Sequence, residues 1–227
     1  MLKYLFLALL AAASVVHLIG SWRETHKMRM VTKPMLLIFI LLFYLSAVEP
    51  ADWSVLLILA LATSWLGDVL LMPAGNKWFV MGGISFLFSH LFFISVYVTN
   101  IDFAAVKWLL VIPAALVYYG IGLAVILALR KTTPKPMLAP MYLYLIANST
   151  MNVFAFMQML TRPCAGSVLA MIGAILFYIS DCTLFLVRYH KNKNLIFKKH
   201  FTVMFTYILG EFLITLGMVL LGSASVA

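Results

Sequence analysis

Eight apolar runs, each close to the length needed to cross a bilayer, follow one another with only short and mostly basic connectors between them. They lie at about 4–22, 34–48, 53–72, 79–98, 104–129, 137–160, 167–187 and 201–222. The hydrocarbon core takes about 20 residues of helix to cross. Inside it every backbone N–H and C=O has to be paired within its own segment, so each run reads as a helix. The second run is short and the fifth long. The expected fold is therefore all-α, a polytopic membrane helix bundle of about eight transmembrane helices forming one domain over 1–227. Composition agrees: 65% of the 227 residues are hydrophobic and 10% charged, where a soluble chain carries about 25% charged residues. A soluble enzyme, a disordered chain, a disulfide scaffold and a collagen-like rod are excluded.

The first run has the look of a signal peptide, with Lys3 ahead of it and the small residues Ala11, Ala12, Ala13 and Ser14 inside it. It continues to Trp22, however, and a basic cluster follows at Arg23, Lys27, Arg29 and Lys33, so it is expected to be a retained helix. The net charge of +9 would suggest nucleic acid in a soluble chain. Here thirteen of the sixteen Lys and Arg residues fall in connectors on one side, and only Lys3, Lys107 and Arg162 on the other. The positive-inside rule puts the basic side in the cytoplasm and both termini outside. No nucleic-acid partner is expected; the partner is the bilayer, and the expected location is a bacterial inner membrane. Cys164 and Cys182 are too far apart along the chain to meet.

A faint internal echo suggests a parallel 4+4 repeat. Lys33-Pro34-Met35 resembles Ala139-Pro140-Met141, and Gly67-Asp68-Val69-Leu70-Leu71 resembles Ser180-Asp181-Cys182-Thr183-Leu184.

The informative residues are polar ones inside the spans, because an ionised group at bilayer depth costs about 2.5–3.5 kcal/mol on insertion scales. Asp68 lies about four residues from the basic end of the third span, and Asp181 about six from the same end of the seventh. The two carboxyls therefore share a depth. If they face one cavity, they cannot both ionise easily, which equips them for acid–base chemistry; otherwise they are anchors between helices. Glu211 sits on a stripe with Tyr207 and Thr215 and is either a third active-site group or a structural residue bonded to a tyrosine. Tyr144, Asn148 and Asn152, four apart, make one polar helix face, serving as interhelical glue or orienting a substrate hydroxyl. Ser64 lies one turn before Asp68 and can bond its own helix. His90 and His17 are lone intramembrane histidines, more often core residues than catalysts. Lys33, before Pro34 at the expected start of the second helix, either binds a lipid phosphate or is one more positive-inside residue. Fourteen methionines and 17 phenylalanines would line an acyl chain or simply pack.

No HExxH or HxxxH pair, Cys/His cluster, Gly-rich phosphate loop or G-x-S-x-G elbow is present. No metal and no cofactor are expected. A proton-coupled transporter using the same aspartates, and a non-catalytic lipid-binding factor, are the competing function classes.

One ordered set of motifs carries a resemblance. Thr32-Lys33-Pro34, then Trp65-Leu66-Gly67-Asp68-Val69-Leu70-Leu71-Met72, Phe88-Ser89-His90 and Ser180-Asp181 together resemble the lysoplasmalogenase (YhhN-like) family of bacterial and animal membrane proteins, over nearly the whole chain. The resemblance implies hydrolysis of the vinyl ether bond of lysoplasmenyl-ethanolamine or -choline, giving a fatty aldehyde and a glycerophospho-base. It puts the catalytic pair at Asp68 and Asp181. Substrate contacts are expected from Lys33 and His90, with Asn148, Asn152, Ser64, Glu211 and Tyr207 as further candidates, and the substrate is a lysophospholipid.

Overall fold

In the computed structural model, residues 1–224 are described. They form eight α-helices: α1 (Leu2–Trp22), α2 (His26–Ala47), α3 (Val55–Leu70), α4 (Asn76–Val98), α5 (Trp108–Leu129), α6 (Lys135–Thr161), α7 (Ala165–Tyr189) and α8 (Lys199–Ala224), with short 3₁₀ turns at Pro50–Asp52 and Phe103–Ala105. Seven helices are long and apolar enough to span a membrane, and α3, with 16 residues, is shorter. The chain is an integral membrane protein built as a polytopic helical bundle.

The ends of the helices differ from the expected ones for local reasons. The second helix is not short: it opens at His26, with only three residues between it and the end of α1, through a turn in which Glu24 takes a left-handed conformation (φ 55°). Pro34 therefore lies two turns inside α2, not in its first turn. A proline ring has no N–H to give the carbonyl one turn back, and the Trp65 indole donates to the Pro34 carbonyl at 3.1 Å. Pro140 lies inside α6 in the same way, since that helix starts at Lys135.

The short helix is the third. Residues 50–52 are taken by a 3₁₀ turn, and the Ser54 hydroxyl caps α3 by accepting from the Leu57 N–H at 3.3 Å. Pro73, three residues past Leu70, cannot continue it. The fifth is not long, because Asp102 caps a separate turn at 103–105 through the Ala104 N–H.

Two helix pairs pack most intimately, α7 on α8 and α3 on α4. Between segments in lipid, close approach depends on small residues. A Cβ on Gly173 would stand 2.6 Å from the Ile214 amide nitrogen, and one on Gly217 would stand 2.5 Å from the Gly166 carbonyl. The backbones of α7 and α8 thus touch at two levels. On the other pair, the Phe86 ring occupies the space a Gly67 Cβ would fill, at 2.6 Å, directly beside Asp68. Helices α6, α7 and α8 carry the most buried residues, whereas α1 and α5 present most of their surface outward.

Candidate active site

Asp68 and Asp181 are both almost fully buried, at 2% and 5% exposure, and both line one cavity of about 270 Å³ near the basic ends of the helices. Lys33, Phe79, Phe86, Ser180, Arg188, His200 and Tyr207 complete the polar and aromatic part of its wall. Gly67 matters here because it admits the Phe86 ring, which packs edge-on to Tyr207 and Phe177.

Asp68 is held at both oxygens. Its Oδ1 pairs with the Lys33 ammonium at 3.1 Å, and its Oδ2 accepts from the Tyr207 hydroxyl at 2.8 Å. Asp181 is held at one. The Tyr144 hydroxyl at 2.8 Å and the Asn148 amide at 2.7 Å both donate to Oδ2, and the His90 Nε2 stands 3.3 Å from the same atom. That last contact is close enough for ion pairing but is not aligned as a hydrogen bond. The ring is fixed from its other side: a carbonyl can only accept, so the short 2.6 Å contact with the Phe86 carbonyl makes His90 Nδ1 the donor. Nε2 is thereby turned toward Asp181.

The two carboxylates do not meet by direct packing of α3 on α7. Each is reached from a helix of the other half: Asp68 on α3 from α2 and α8, and Asp181 on α7 from α6 and α4. Exchanging α2 with α6, α3 with α7 and α4 with α8 carries one environment onto the other. The most intimate helix pairs, α3 with α4 and α7 with α8, obey the same exchange, as do the contacts of α4 with α6 and α8 with α2.

The remaining candidates stand behind the wall. Asn152 donates to the Asn148 carbonyl at 3.0 Å and to its side-chain oxygen at 3.3 Å, so it orients the residue that touches Asp181. Ser64 shares a 2.6 Å hydrogen bond with Ser89 rather than bonding its own helix. Glu211 is fully buried and neither carboxyl oxygen has a hydrogen-bond partner; its backbone carbonyl accepts from Thr215 at 2.8 Å. Tyr207, the tyrosine expected beside Glu211, bonds Asp68 instead. Ser64, Asn152 and Glu211 are not on the wall of the carboxylate cavity, and His90 and Asn148 reach it only through Asp181.

Arg188 and His200 escape a reading that assigns basic residues to loops. Both sit in terminal helical turns, and their spacing would have found them: Arg188 is seven residues past Asp181, and His200 seven before Tyr207, the interval that returns to the same helix face. The Arg188 guanidinium lies 3.8 Å from the Phe79 ring centre and donates to the Asn76 side chain at 2.9 Å.

A second cavity, of about 260 Å³, lies between α4, α6 and α7. It is lined almost wholly by apolar side chains, among them Val80, Gly83, Ile84, Leu87, Met137 and Met141. Leu71, Phe79, Phe86 and Leu184 form a wall common to both cavities, and Tyr144, which donates to Asp181, lines the apolar one. Polar chemistry and a greasy slot therefore adjoin.

No curated protein and no solved structure matches the chain. The sequence profile of the YhhN family matches residues 28–218, a stretch that omits α1 but holds Lys33, Asp68, His90 and Asp181. The chain belongs to the YhhN family.

Proposed function

We propose that this protein is a membrane hydrolase of lysophospholipids that cleaves the vinyl ether bond of lysoplasmenyl lipids, releasing a fatty aldehyde and a glycerophospho-base. The observation that carries this reading is the adjacency of two buried carboxylates to an apolar slot. A lipid with one hydrocarbon chain would place that chain in the slot and its polar end among Lys33, Asp68 and Asp181.

A vinyl ether is hydrolysed by protonating its β-carbon. The resulting oxocarbenium ion takes up water, and the hemiacetal collapses to aldehyde and free glycerol hydroxyl. Two carboxyl groups suit this sequence, one as proton donor and one to stabilise the cation, as in glycoside hydrolysis. The Lys33 ammonium favours Asp68 for the carboxylate role, facing the developing cation. Asp181 takes the acid role: its protein contacts converge on Oδ2, which leaves Oδ1 to carry the transferable proton. As water adds to the cation, its proton returns to Asp181, with His90 Nε2 placed to buffer the transfer. Nothing in these steps calls on a metal. The basic ends of the helices face the cytoplasm in this reading, which puts both termini outside.

The test is release of free aldehyde from a 1-alkenyl lysophosphoethanolamine by the purified protein. Asp68→Asn and Asp181→Asn should each lower the rate by about 10²–10⁴ while the variants keep their size-exclusion profile. A wild-type protein that releases no aldehyde, or variants that keep its rate, would overturn the assignment.

A further inference from the structure

A third cavity, of about 290 Å³, opens beside the carboxylate cavity and shares Lys33, Leu71, His200 and Met204 with it. Its other wall residues include His17, His26 and Arg29. Five basic side chains from α1, α2 and α8 thus converge there, and no carboxylate is on the wall. His26, Arg29 and Lys33 follow at intervals of three and four residues, which sets them on one face of α2.

Lys33 is engaged with Asp68, so an anion in this chamber has to be met mainly by the others. Two unpartnered atoms stand ready. The Arg29 Nε is buried with no hydrogen-bond partner. His17 is fully buried, and its tautomer follows from its neighbours: the Thr32 hydroxyl donates to the Met28 carbonyl at 2.7 Å, so it accepts from His17 Nδ1 at 2.8 Å. That leaves Nε2 without a partner; in the neutral ring it is an acceptor, and it donates to an anion only once the ring takes up a second proton. Lys33, Arg29 and His200 are all near enough to His17 to act on it electrostatically. The acidic groups close by are Asp68, already paired, and Glu24 near His200. Arg29 and Lys33 are the permanent cations of the group, and an anion between them eases their repulsion.

We propose that this chamber is a phosphate subsite in which Arg29 and His200 hold the phosphodiester of the substrate headgroup, with His17 Nε2 joining them when anion binding draws a second proton onto its ring. The inference rests on the lysophospholipid reading above. It adds residues to that reading, including one on α1, outside the stretch matched to the family. Arg29 supplies a planar fork suited to two phosphate oxygens. Lys33 stands between the two cavities, tying the headgroup to the Asp68 carboxylate.

The experiment is calorimetric binding to the purified protein in an uncharged maltoside detergent, with glycerophosphoethanolamine, inorganic phosphate and glycerol as probes. Glycerophosphoethanolamine should bind, more weakly as salt rises, and glycerol should not. Arg29→Gln should weaken the binding about tenfold or more, and Arg29→Lys by less. In turnover, Arg29→Gln should raise KM for the phosphorylated lysolipid about tenfold with little change in kcat, and leave KM for 1-alkenyl glycerol unaltered. Equal glycerophosphoethanolamine binding by wild type and a folded Arg29→Gln would overturn the subsite. Inorganic phosphate binding as tightly as the diester, with no rise in the lysolipid KM, would assign the chamber to a free anion and overturn the headgroup role. Because binding needs no turnover, loss of the diester in Arg29→Gln would sustain the subsite even if no aldehyde were ever released.

Discussion

Replacing Lys33 by methionine should cost far more stability than replacing its partner, and the reason lies in unequal burial. The side chain of Asp68 is 3% exposed and that of Lys33 16%, with 3.1 Å between Nζ and Oδ1. At an effective dielectric of about 20, unit charges at that separation attract by about 5 kcal/mol before desolvation is charged against them. Removing the ammonium leaves a buried carboxylate with one remaining hydrogen bond, from Tyr207. Breaking a buried pair by deleting one partner typically costs about 3–5 kcal/mol; the surviving tyrosine places Lys33→Met near the low end, at about 3 kcal/mol. Asp68→Asn has a milder consequence. The freed ammonium borders the open basic chamber and can turn toward water there, so about 1 kcal/mol is expected. The double variant should resemble Asp68→Asn alone, which makes the coupling about 3 kcal/mol. At about 2–4 °C per kcal/mol for a chain of this size, Lys33→Met should melt roughly 6–12 °C below wild type and regain most of that when Asp68→Asn is added. Thermal melting of the four proteins in one detergent measures it. Equal single-variant losses that simply add in the double variant would refute the buried pair.

Four further outcomes follow from particular positions. Gly83 lines the apolar slot, and a Cβ there meets nothing within 4 Å, so Gly83→Phe should fold normally yet fill the slot. It should raise KM for long-chain lysolipid while sparing short-chain analogues, as steady-state kinetics across chain lengths would show. Gly173→Leu should split α7 from α8, because its Cβ would press on backbone atoms of Ile214 and Gly210 at 2.6–2.7 Å that cannot yield. The expected result is loss of the monodisperse size-exclusion peak. Gly120→Ala, at an open lipid-facing position, should hold wild-type stability or gain up to about 1 kcal/mol. A chelator should leave aldehyde release unchanged, since among the described residues no three His, Cys, Asp or Glu side chains are grouped as metal ligands.

Much of the fold can be read one segment at a time. Whether a stretch such as 108–129 partitions into lipid depends on its own side chains, and a helix is the only way for it to pair its backbone there. The polar exceptions, Asp68, Asp181, Asn148 and Glu211, stand out for the same reason: each is costly where it sits. Helix ends proved less legible. Residues 26–33 are basic enough to look like a loop, yet they form the first turns of α2 and so bring Arg29 and Lys33 to the site.

The hydrogen-bond partner of each carboxylate was not legible. The link between Tyr207 and Asp68 spans 139 residues, and nothing on α8 marks Tyr207 for Asp68 rather than for Glu211, four residues away on the same stripe. Spans that are apolar on every face carry no stripe to announce which side meets which neighbour. That choice falls to backbone approach at glycines such as Gly67, Gly173 and Gly217, and to the requirement that each buried charge find its counterpart. Burial of the polar residues is thus a local property of the chain, whereas the chemistry they perform together is set only once the helices have packed.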